Sequence, residues 1–434
     1  MQTAGVVGGG PAGLIAAEVL ARAGVAVTVH DRMPSVSRKL LLAGHGGLNI
    51  THSEPLDRML PRYGAAAERL APMIEAFTPD DLRAWCAGLG EATFVGSSGR
   101  VFPRSFRATP LVRAWLTRLD SLGVTIHKRQ RWTGWTADGA GLTFTGVGAA
   151  DDGTRTEASY DVVLLALGGA SWPRLGSDGS WVDLLAARGV AAAPLRAANV
   201  GARVAWTAGF AERFQGVPLK HVAVSVRGQD QAPVRGDAMV TRTGIEGGPL
   251  YATGAAVRAA LDADGRAVLL LDLRPDQDAA RLADRLARRR PKDSRSTWLQ
   301  RSLGLDPVAV GLLREATGNA VPDDPAAVAA LIKAVPVVVT EAMPIEKAIS
   351  SAGGIRWSEV DDDLALRALP GTFVAGEMLD WEAPTGGYLL QASYATGVAA
   401  ARGMLARLGV AGAASAGPEV PGRAGERMTG IEPA

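Results

Sequence analysis

The stretch Gly5-Val-Val-Gly8-Gly9-Gly10-Pro11-Ala12-Gly13 joins an apolar run to a helical pattern at the start of the chain. Residues 2–7 have the composition of a buried strand, and Gly8, Gly10 and Gly13 have the G-x-G-x-x-G spacing. In such a turn the first glycine makes the bend, the second lets backbone approach a pyrophosphate, and the third lets the helix pack on the strand. The helix N-terminus favours phosphate charge. The pattern predicts an α/β, Rossmann-like dinucleotide-binding fold; the alternative is a glycine-rich turn in an unrelated α/β protein.

A second apolar segment, residues 25–30, predicts the next strand and ends in Asp31. An acidic residue about 20 positions beyond the glycines is where a ribose-binding carboxylate is expected. A carboxylate there repels the 2′-phosphate of NADP, so FAD and NAD are the dinucleotides that this site favours.

A late segment favours FAD over NAD. Gly376-Glu377 ends a predicted strand, and Asp380 follows shortly after it. The turn Pro384-Thr385-Gly386-Gly387-Tyr388 then leads into a predicted helix over residues 392–408, which we expect to begin against the flavin pyrimidine. FAD is long, so a second segment must reach its ribityl chain and ring, whereas an NAD dehydrogenase needs none. The alternative is an ordinary strand–loop–helix.

Three further segments carry a resemblance to a known family. They are residues 37–53, with Arg38-Lys39 and Gly44-His45-Gly46-Gly47-Leu48-Asn49, residues 99–109, and residues 166–173 with Gly168-Gly169. Together with the Gly386-Gly387 turn they resemble bacterial FAD flavoproteins that include bile-acid ene-reductases and aminoacetone oxidases. The fold is more distantly similar to the flavoprotein subunit of fumarate reductase. The resemblance extends from residue 1 to about 408 and implies a glutathione-reductase-type FAD domain and flavin redox chemistry.

The same resemblance bears on how FAD is held. Fumarate reductase relatives carry covalent flavin on a histidine in the preceding turn, and the matching position here is Leu40. We therefore expect non-covalent FAD. The family pattern Gly-Gly-Gly-Arg-Cys-Asn is altered, since Gly47-Leu48 replaces its Arg-Cys pair.

The predicted FAD domain is discontinuous. It comprises residues 1–195 and 341–410, and it is interrupted by a substrate or cap domain over residues 196–340. Short alternating apolar segments make residues 196–274 β-rich, whereas periodic Ala, Leu and Arg make residues 275–335 helical. The tail, residues 411–434, is rich in Gly, Ala and Pro and predicts disorder.

Composition excludes several classes of protein. The 434 residues are 47% hydrophobic and carry a net charge of +2, which gives no case for nucleic-acid binding. No apolar run approaches a membrane span, and no signal peptide precedes the first strand, so we expect a soluble, cytoplasmic protein. Cys86 is the single cysteine, and the five histidines lack ligand spacing, so no metal site is expected. Nothing indicates the oligomeric state.

Two residues are candidates for catalysis on a small-molecule substrate. His45 could act as acid or base at the flavin, or could structure its loop. Arg242 could bind an anionic substrate group, or could be an exposed hairpin residue. Arg100, Pro103 and Arg104 are candidate substrate-lining residues. No second glycine-rich strand–turn–helix is present, so NAD(P)H, if it is the electron donor, must bind transiently.

The candidate functions remain of two classes. The first is an FAD-dependent oxidoreductase, either oxidase or ene-reductase; the second is a flavin-binding protein with a sensing or RNA-modification-related role. The predicted cofactor-binding residues are Gly8, Gly10, Pro11, Ala12, Gly13, Asp31, Arg32, Arg38, Lys39, Gly46, Gly47, Asn49, Gly168, Gly376, Glu377, Asp380, Gly386, Gly387, Tyr388 and Leu389.

Overall fold

The computed structural model describes residues 1–44, 47–148 and 153–420, in which the chain forms two compact units. One unit is Met1–Arg196 together with the residues from Ser351 onward, and the other is Ala197–Ser350. Each has its own hydrophobic core.

The first stretch of the chain supplies most of the cofactor unit. Its strands and helices are β1 (Thr3–Val7), α1 (Pro11–Arg22), β2 (Ala26–Asp31), α2 (Arg38–Ala43), β3 (Thr51–His52), α3 (Leu56–Met59), α4 (Ala67–Ala76), α5 (Pro79–Gly88), β4 (Thr93–Val95), β5 (Arg100–Pro103), α6 (Ala108–Ser121), β6 (Thr125–Lys128), β7 (Gln130–Trp135), β8 (Leu142–Gly146), β9 (Arg155–Ala158), β10 (Val162–Leu165), α7 (Trp181–Ala186) and β11 (Ala192–Ala198).

The second unit and the return to the first follow in order. The elements are β12 (Ala202–Arg203), α8 (Ala208–Phe214), β13 (Pro218–Val226), β14 (Val234–Thr241), β15 (Gly244–Gly247), α9 (Gly248–Ala252), α10 (Gly254–Asp264), β16 (Ala267–Asp272), α11 (Ala279–Leu286), α12 (Arg295–Leu303), α13 (Pro307–Ala316), α14 (Pro325–Lys333), β17 (Val335–Val339), β18 (Glu341–Ala342), β19 (Ser350–Ile355), β20 (Thr372–Val374) and α15 (Tyr388–Arg407).

A five-stranded parallel sheet forms the centre of the cofactor unit, with strand order β20-β10-β1-β2-β6. Its middle strands are almost wholly apolar and buried, as is usual when both faces of a parallel sheet are covered. Helices α1 and α15 pack closely because Gly397 has no side chain: a Cβ there would lie 2.4 Å from the Ala12 carbonyl oxygen. This arrangement confirms the predicted Rossmann-like fold.

Three smaller sheets complete this unit. They have the strand orders β3-β5-β4, β7-β8-β9 and β11-β19. The first two are antiparallel.

The second unit is built on a seven-stranded sheet of order β17-β16-β13-β14-β15-β12-β18. In β16 the residues Ala267, Leu269 and Leu271 are buried in alternation, the pattern of a sheet with one face on a core. Helices α11 to α14 contribute Leu282, Trp298 and other apolar side chains to the same core. The interruption is thus β-rich with helices, although α8, α9 and α10 lie within residues 196–274, which we expected to be β-rich alone.

Two of the predicted boundaries were wrong. The chain returns to the cofactor unit at Ser351 rather than at 341, because Glu341–Ala342 pairs with Ala202–Arg203 at the edge of the seven-stranded sheet. The tail over 411–420 is not disordered: its Glu419 backbone N–H donates to the buried Glu18 carboxylate at 3.2 Å. Residues 421–434 lie outside the described residues.

No helix in the described residues is both long and apolar enough to cross a membrane.

Candidate FAD site

The three glycines of the G-x-G-x-x-G spacing, which lie between β1 and the first turn of α1, have three different surroundings. Gly8 has φ +109°, and a Cβ there would lie 2.2 Å from the Ala166 carbonyl oxygen. A Cβ on Gly13 would lie 2.0 Å from the Gly8 carbonyl oxygen, where helix meets turn. Gly10 has no atom within 4 Å of its Cβ position, so a ligand can approach its backbone.

The open side of Gly10 faces a cleft contained within the cofactor unit. Helix α1 begins there with Pro11 at its first position, and no side chain caps it. The Ala12 N–H, in the first turn of the helix and at the cleft lining, is therefore left without a side-chain cap, the arrangement that suits a pyrophosphate. The predicted cofactor residues that line the cleft are Gly8, Gly10, Pro11, Ala12, Asp31, Arg32, Arg38, Lys39, Gly168, Gly376 and Glu377.

Asp31 ends β2 and closes the glycine turn. Its Oδ2 accepts the Gly9 N–H at 2.8 Å, and its Oδ1 accepts the Met33 N–H at 2.7 Å. Burial raises the pKa of Asp31, and these two backbone hydrogen bonds oppose that rise. Each carboxylate oxygen has a further lone pair, so the side chain can hold the turn and still accept hydroxyl protons from a ribose.

Two buried polar atoms in the cleft have no protein partner, and they test whether its residues fit FAD. They are Arg38 Nε and Ser177 Oγ. Buried polar atoms are nearly always hydrogen-bonded, so these two are available to a polar ligand. With the uncapped helix and the open Gly10, they fit the phosphates and hydroxyls of a dinucleotide.

Beside them, Arg32 forms an ion pair with Asp178. Burial alone would raise the pKa of Asp178, but hydrogen bonds from Arg32 and Ser180 outweigh it and lower that pKa. Asp178 is therefore ionised at neutral pH. The pair fixes the segment around Ser177 beside the end of β2.

A hydrogen-bonded network joins four segments further along the cleft. Lys39 Nζ donates to Ser171 Oγ and to Glu377 Oε2, both at 2.7 Å. Glu377 Oε1 accepts the Ser351 N–H at 2.7 Å, and Ser351 Oγ accepts the Ala170 N–H at 2.8 Å. The Glu377 carboxylate is thus paired with Lys39 and held in one orientation at the cleft wall.

The Gly386-Gly387 turn differs from our expectation. Gly387 has φ +101°, and a Cβ there would lie 2.4 Å from the Thr51 carbonyl carbon and oxygen. Tyr388 extends toward the same segment, donating to Glu54 Oε1 at 2.6 Å and stacking on His52. The glycine is therefore required by packing against β3, a reason that we had not expected, and its contact with the flavin stays a prediction.

The other predicted site residues lie outside the lining of the cleft. Those in the cofactor unit are Gly13, Gly47, Asn49, Asp380, Gly386, Gly387, Tyr388 and Leu389. Asn49 Oδ1 is buried without a partner. Arg242 is exposed on the turn between β14 and β15 of the second unit. His45 and Gly46 lie outside the described residues, and for all of these a role toward FAD or substrate stays a prediction.

The structure adds cleft residues that sequence reasoning missed. Ser177 and Asp178 belong to the segment Gly176-Ser-Asp-Gly179, which precedes α7. Gln130 and Trp132 come from β7. Ser177 and Asp178 come shortly after β10 and the Gly168-Gly169 pair, so their place in the sequence was a usable signal, whereas β7 gave none.

Together, the parallel sheet, the glycine turn and the uncapped helix define a dinucleotide-binding protein of the Rossmann class. The family described as HI0933-like protein Rossmann domain matches residues 2–403, and the chain belongs to that family. This family and the relatives below confirm the predicted resemblance and the class: the protein is an FAD-dependent oxidoreductase.

A curated relative extends over almost the whole chain. It is the 3-dehydro-bile acid delta(4,6)-reductase of Clostridium scindens, 27% identical over 415 residues that cover 93% of this chain and 98% of the relative. Among solved structures, 3-ketosteroid delta1-dehydrogenase from Sterolibacterium denitrificans is similar in fold, with TM-score 0.52, 15% identity, and coverage of 94% and 100% of the two chains. An open flavocytochrome c3 fumarate reductase has TM-score 0.51, 14% identity, and coverage of 94% and 78%.

A metal centre finds no support within the described ranges, which contain no cluster of three or more His, Cys, Asp or Glu side chains that could hold an ion. Bound FAD would supply hydride and electron transfer, and the chain's own residues supply its position and electrostatics.

Proposed function

We propose that this enzyme reduces a carbon–carbon double bond conjugated to a ketone in a small organic substrate. The observation that carries the proposal is the match to a curated reductase over nearly the full length of both chains. The cleft is consistent with it, because the glycine turn, Asp31 and the Lys39–Glu377 pair that line it lie within residues 2–403, the span that the family matches. The residues proposed to hold FAD are the predicted ones that line the cleft, joined by Ser177 and Asp178.

Non-covalent attachment of FAD is part of the proposal. Leu40, at the position where the resemblance puts a covalent link, lines the cleft and offers no nucleophile. Among the described lining residues the histidine is His30, and both of its ring nitrogens lie in hydrogen bonds, with Gln130 and with Tyr160 at 2.7 Å each. Burial lowers the pKa of His30, which keeps it neutral in this cage.

NAD(P)H as a transient electron donor completes the proposal. The G-x-G-x-x-G turn of Gly8, Gly10 and Gly13 occurs once in the sequence, so the chain has a single dinucleotide turn of this kind. Asp31 disfavours a 2′-phosphate at the position where the adenosine of FAD would lie. A nicotinamide donor would therefore reach the flavin from the substrate side and leave before substrate enters.

The acceptor that reoxidises the flavin, after the enzyme has been reduced without oxygen, separates the candidate reactions. The FAD-loaded enzyme is reduced with dithionite, or with NADH or NADPH in parallel, and mixed with 3-oxo-4-cholenoic acid or with air. We expect the enone to reoxidise the flavin at least tenfold faster than oxygen does. Fast reoxidation by air with stoichiometric peroxide, and none by the enone, would instead establish an oxidase. Failure of both acceptors would favour a non-redox role.

A further inference from the structure

The three-stranded sheet β3-β5-β4 of the cofactor unit has one face that includes fully buried residues and an opposite face whose phenylalanines are half-buried. Thr51 and Val101, paired across β3 and β5, are fully buried. Because side chains alternate along a strand, their neighbours point the other way. Phe94 and Phe102 are directly paired across β4 and β5, so they share the opposite face, and Arg100 lies two residues from Phe102 on that face.

A third phenylalanine completes this aromatic face. The Phe106 ring lies 5.0 Å from that of Phe94 and 5.6 Å from that of Phe102, centre to centre, and the side chain is 50% exposed. Its φ of +56° lies in the left-handed region, which residues other than glycine rarely adopt. The turn therefore holds a large apolar ring at the surface, where burial against the core would be the ordinary outcome.

The face adjoins a loop that we assign to the flavin. The Cβ position of Gly47 lies 3.6 Å from Phe106 Cδ1 and 3.8 Å from Phe102 Cε1. Since Gly47 has no side chain, no Cβ lies between its backbone and the two rings.

The charge beside the rings is positive. Arg100, Arg104 and Arg107 are exposed, and none forms an ion pair with a carboxylate in the described part of the chain. The Glu91 carboxylate accepts instead from Ser105 Oγ at 3.0 Å. An apolar face with free guanidinium groups at its edge complements a molecule with a flat hydrocarbon body and one anionic group.

We infer that this aromatic face, formed by Phe94, Phe102 and Phe106 with Arg100, is the substrate platform, and that it takes an apolar fused-ring molecule bearing a carboxylate or sulfonate. The inference rests on the proposed function, which it deepens by naming the substrate class. Arg100 pairs with the anion while the rings cover the hydrocarbon.

Equilibrium dialysis of the FAD-loaded enzyme tests the platform without requiring turnover. The probes are 8-anilinonaphthalene-1-sulfonate, 3-oxo-4-cholenoic acid and the methyl ester of that acid. Phe106→Gly keeps the left-handed backbone and removes the ring. We expect this variant to bind all three probes about fivefold more weakly, or weaker still. Arg100→Ala should weaken the binding of the two anionic probes to a similar degree. It should change the affinity for the methyl ester by less than about twofold.

Matched controls come from the second unit. Val338→Ala removes an exposed apolar side chain, 48% exposed, and Arg227→Ala removes an exposed arginine; neither should change probe binding. Unchanged binding of every probe in Phe106→Gly and Arg100→Ala would overturn the platform. The platform would also be overturned if the parent protein forms a dimer, or binds anionic vesicles, and Phe106→Gly abolishes that association while leaving probe binding intact. The anilinonaphthalene result stands even if the enone fails to reoxidise the flavin, so the two proposals fail separately.

Discussion

Two glycine-rich turns begin helices α1 and α15, and they differ in what fills the space beside them. At the first turn the Cβ position of Gly10 is free of any atom within 4 Å. At the second, the Cβ position of Gly387 lies 2.4 Å from the backbone of Thr51. One glycine leaves room for a ligand, and the other leaves room for the protein's own chain.

The difference shows that a glycine before a helix has no single meaning. Gly10 has an extended backbone, φ −84° and ψ −177°, which any residue adopts, so its small size matters only to what approaches from outside. Gly387 has a left-handed φ and a crowded neighbour, so it is required for folding itself. Ligand binding and stability should therefore respond oppositely to substitutions at the two turns.

The largest expected effect is on folding at the second turn. Gly387→Ala combines left-handed strain with overlap on Thr51, and we expect it to cost about 2–5 kcal/mol of stability. Thermal unfolding followed by circular dichroism measures the loss. The control is Gly24→Ala, which has φ +84° but open space, and it should lose far less. Equal losses of stability in Gly387→Ala and Gly24→Ala would show that overlap with Thr51 does not contribute.

A bulky substitution at the first turn should lower the affinity for FAD. Gly10→Val fits the extended backbone but fills the space open to a pyrophosphate, so we expect a fall in FAD affinity on the order of a hundredfold with an unchanged melting temperature of the FAD-free protein. FAD titration of the stripped protein measures it. Gly209→Ala, in α8 with equally open surroundings, serves as the control. Full FAD affinity in Gly10→Val would contradict the assignment.

Asp31→Ala should have a smaller effect on the same measurement. It removes a hydrogen-bond acceptor for ribose and also frees the Gly9 and Met33 N–H groups. Charge-assisted hydrogen bonds contribute about 1.5–3 kcal/mol, which corresponds to roughly a tenfold to hundredfold loss of FAD affinity. Asp31→Asn keeps the size and part of the acceptor capacity, and it should fall between the parent and Asp31→Ala. Affinity unchanged in both would exclude Asp31 from the cofactor site.

The smallest expected effect is a pH dependence near the first turn. Gly8 donates its N–H to the His30 carbonyl at 2.8 Å. Burial lowers the pKa of His30 below 6.5, so the unfolded chain binds the proton more readily, and stability should fall as pH drops through 6.5. The melting temperature of the parent should therefore fall more between pH 7.5 and 5.5 than that of His30→Gln, with the exposed His221→Gln as control. Parallel pH profiles for all three would contradict this role.

The elements around the first turn could be predicted from sequence because their determinants are local. The apolar run, the glycine spacing and the strand ending in Asp31 follow one another along the chain. Neither the role of Gly387 nor the pairing of Glu341–Ala342 could be predicted in this way, because each depends on a distant segment, Thr51 in one case and Ala202–Arg203 in the other. The same limit applies to Ser177, whose unpartnered hydroxyl has meaning only inside the cleft.

A crystal structure of the FAD-loaded enzyme tests the central claim most directly. We predict FAD in the cleft, with its pyrophosphate against the backbone of Gly10 and the start of α1, its adenosine ribose on Asp31, and Ser177 Oγ hydrogen-bonded to the cofactor. FAD bound elsewhere, or a pyrophosphate remote from Gly10, would contradict the account.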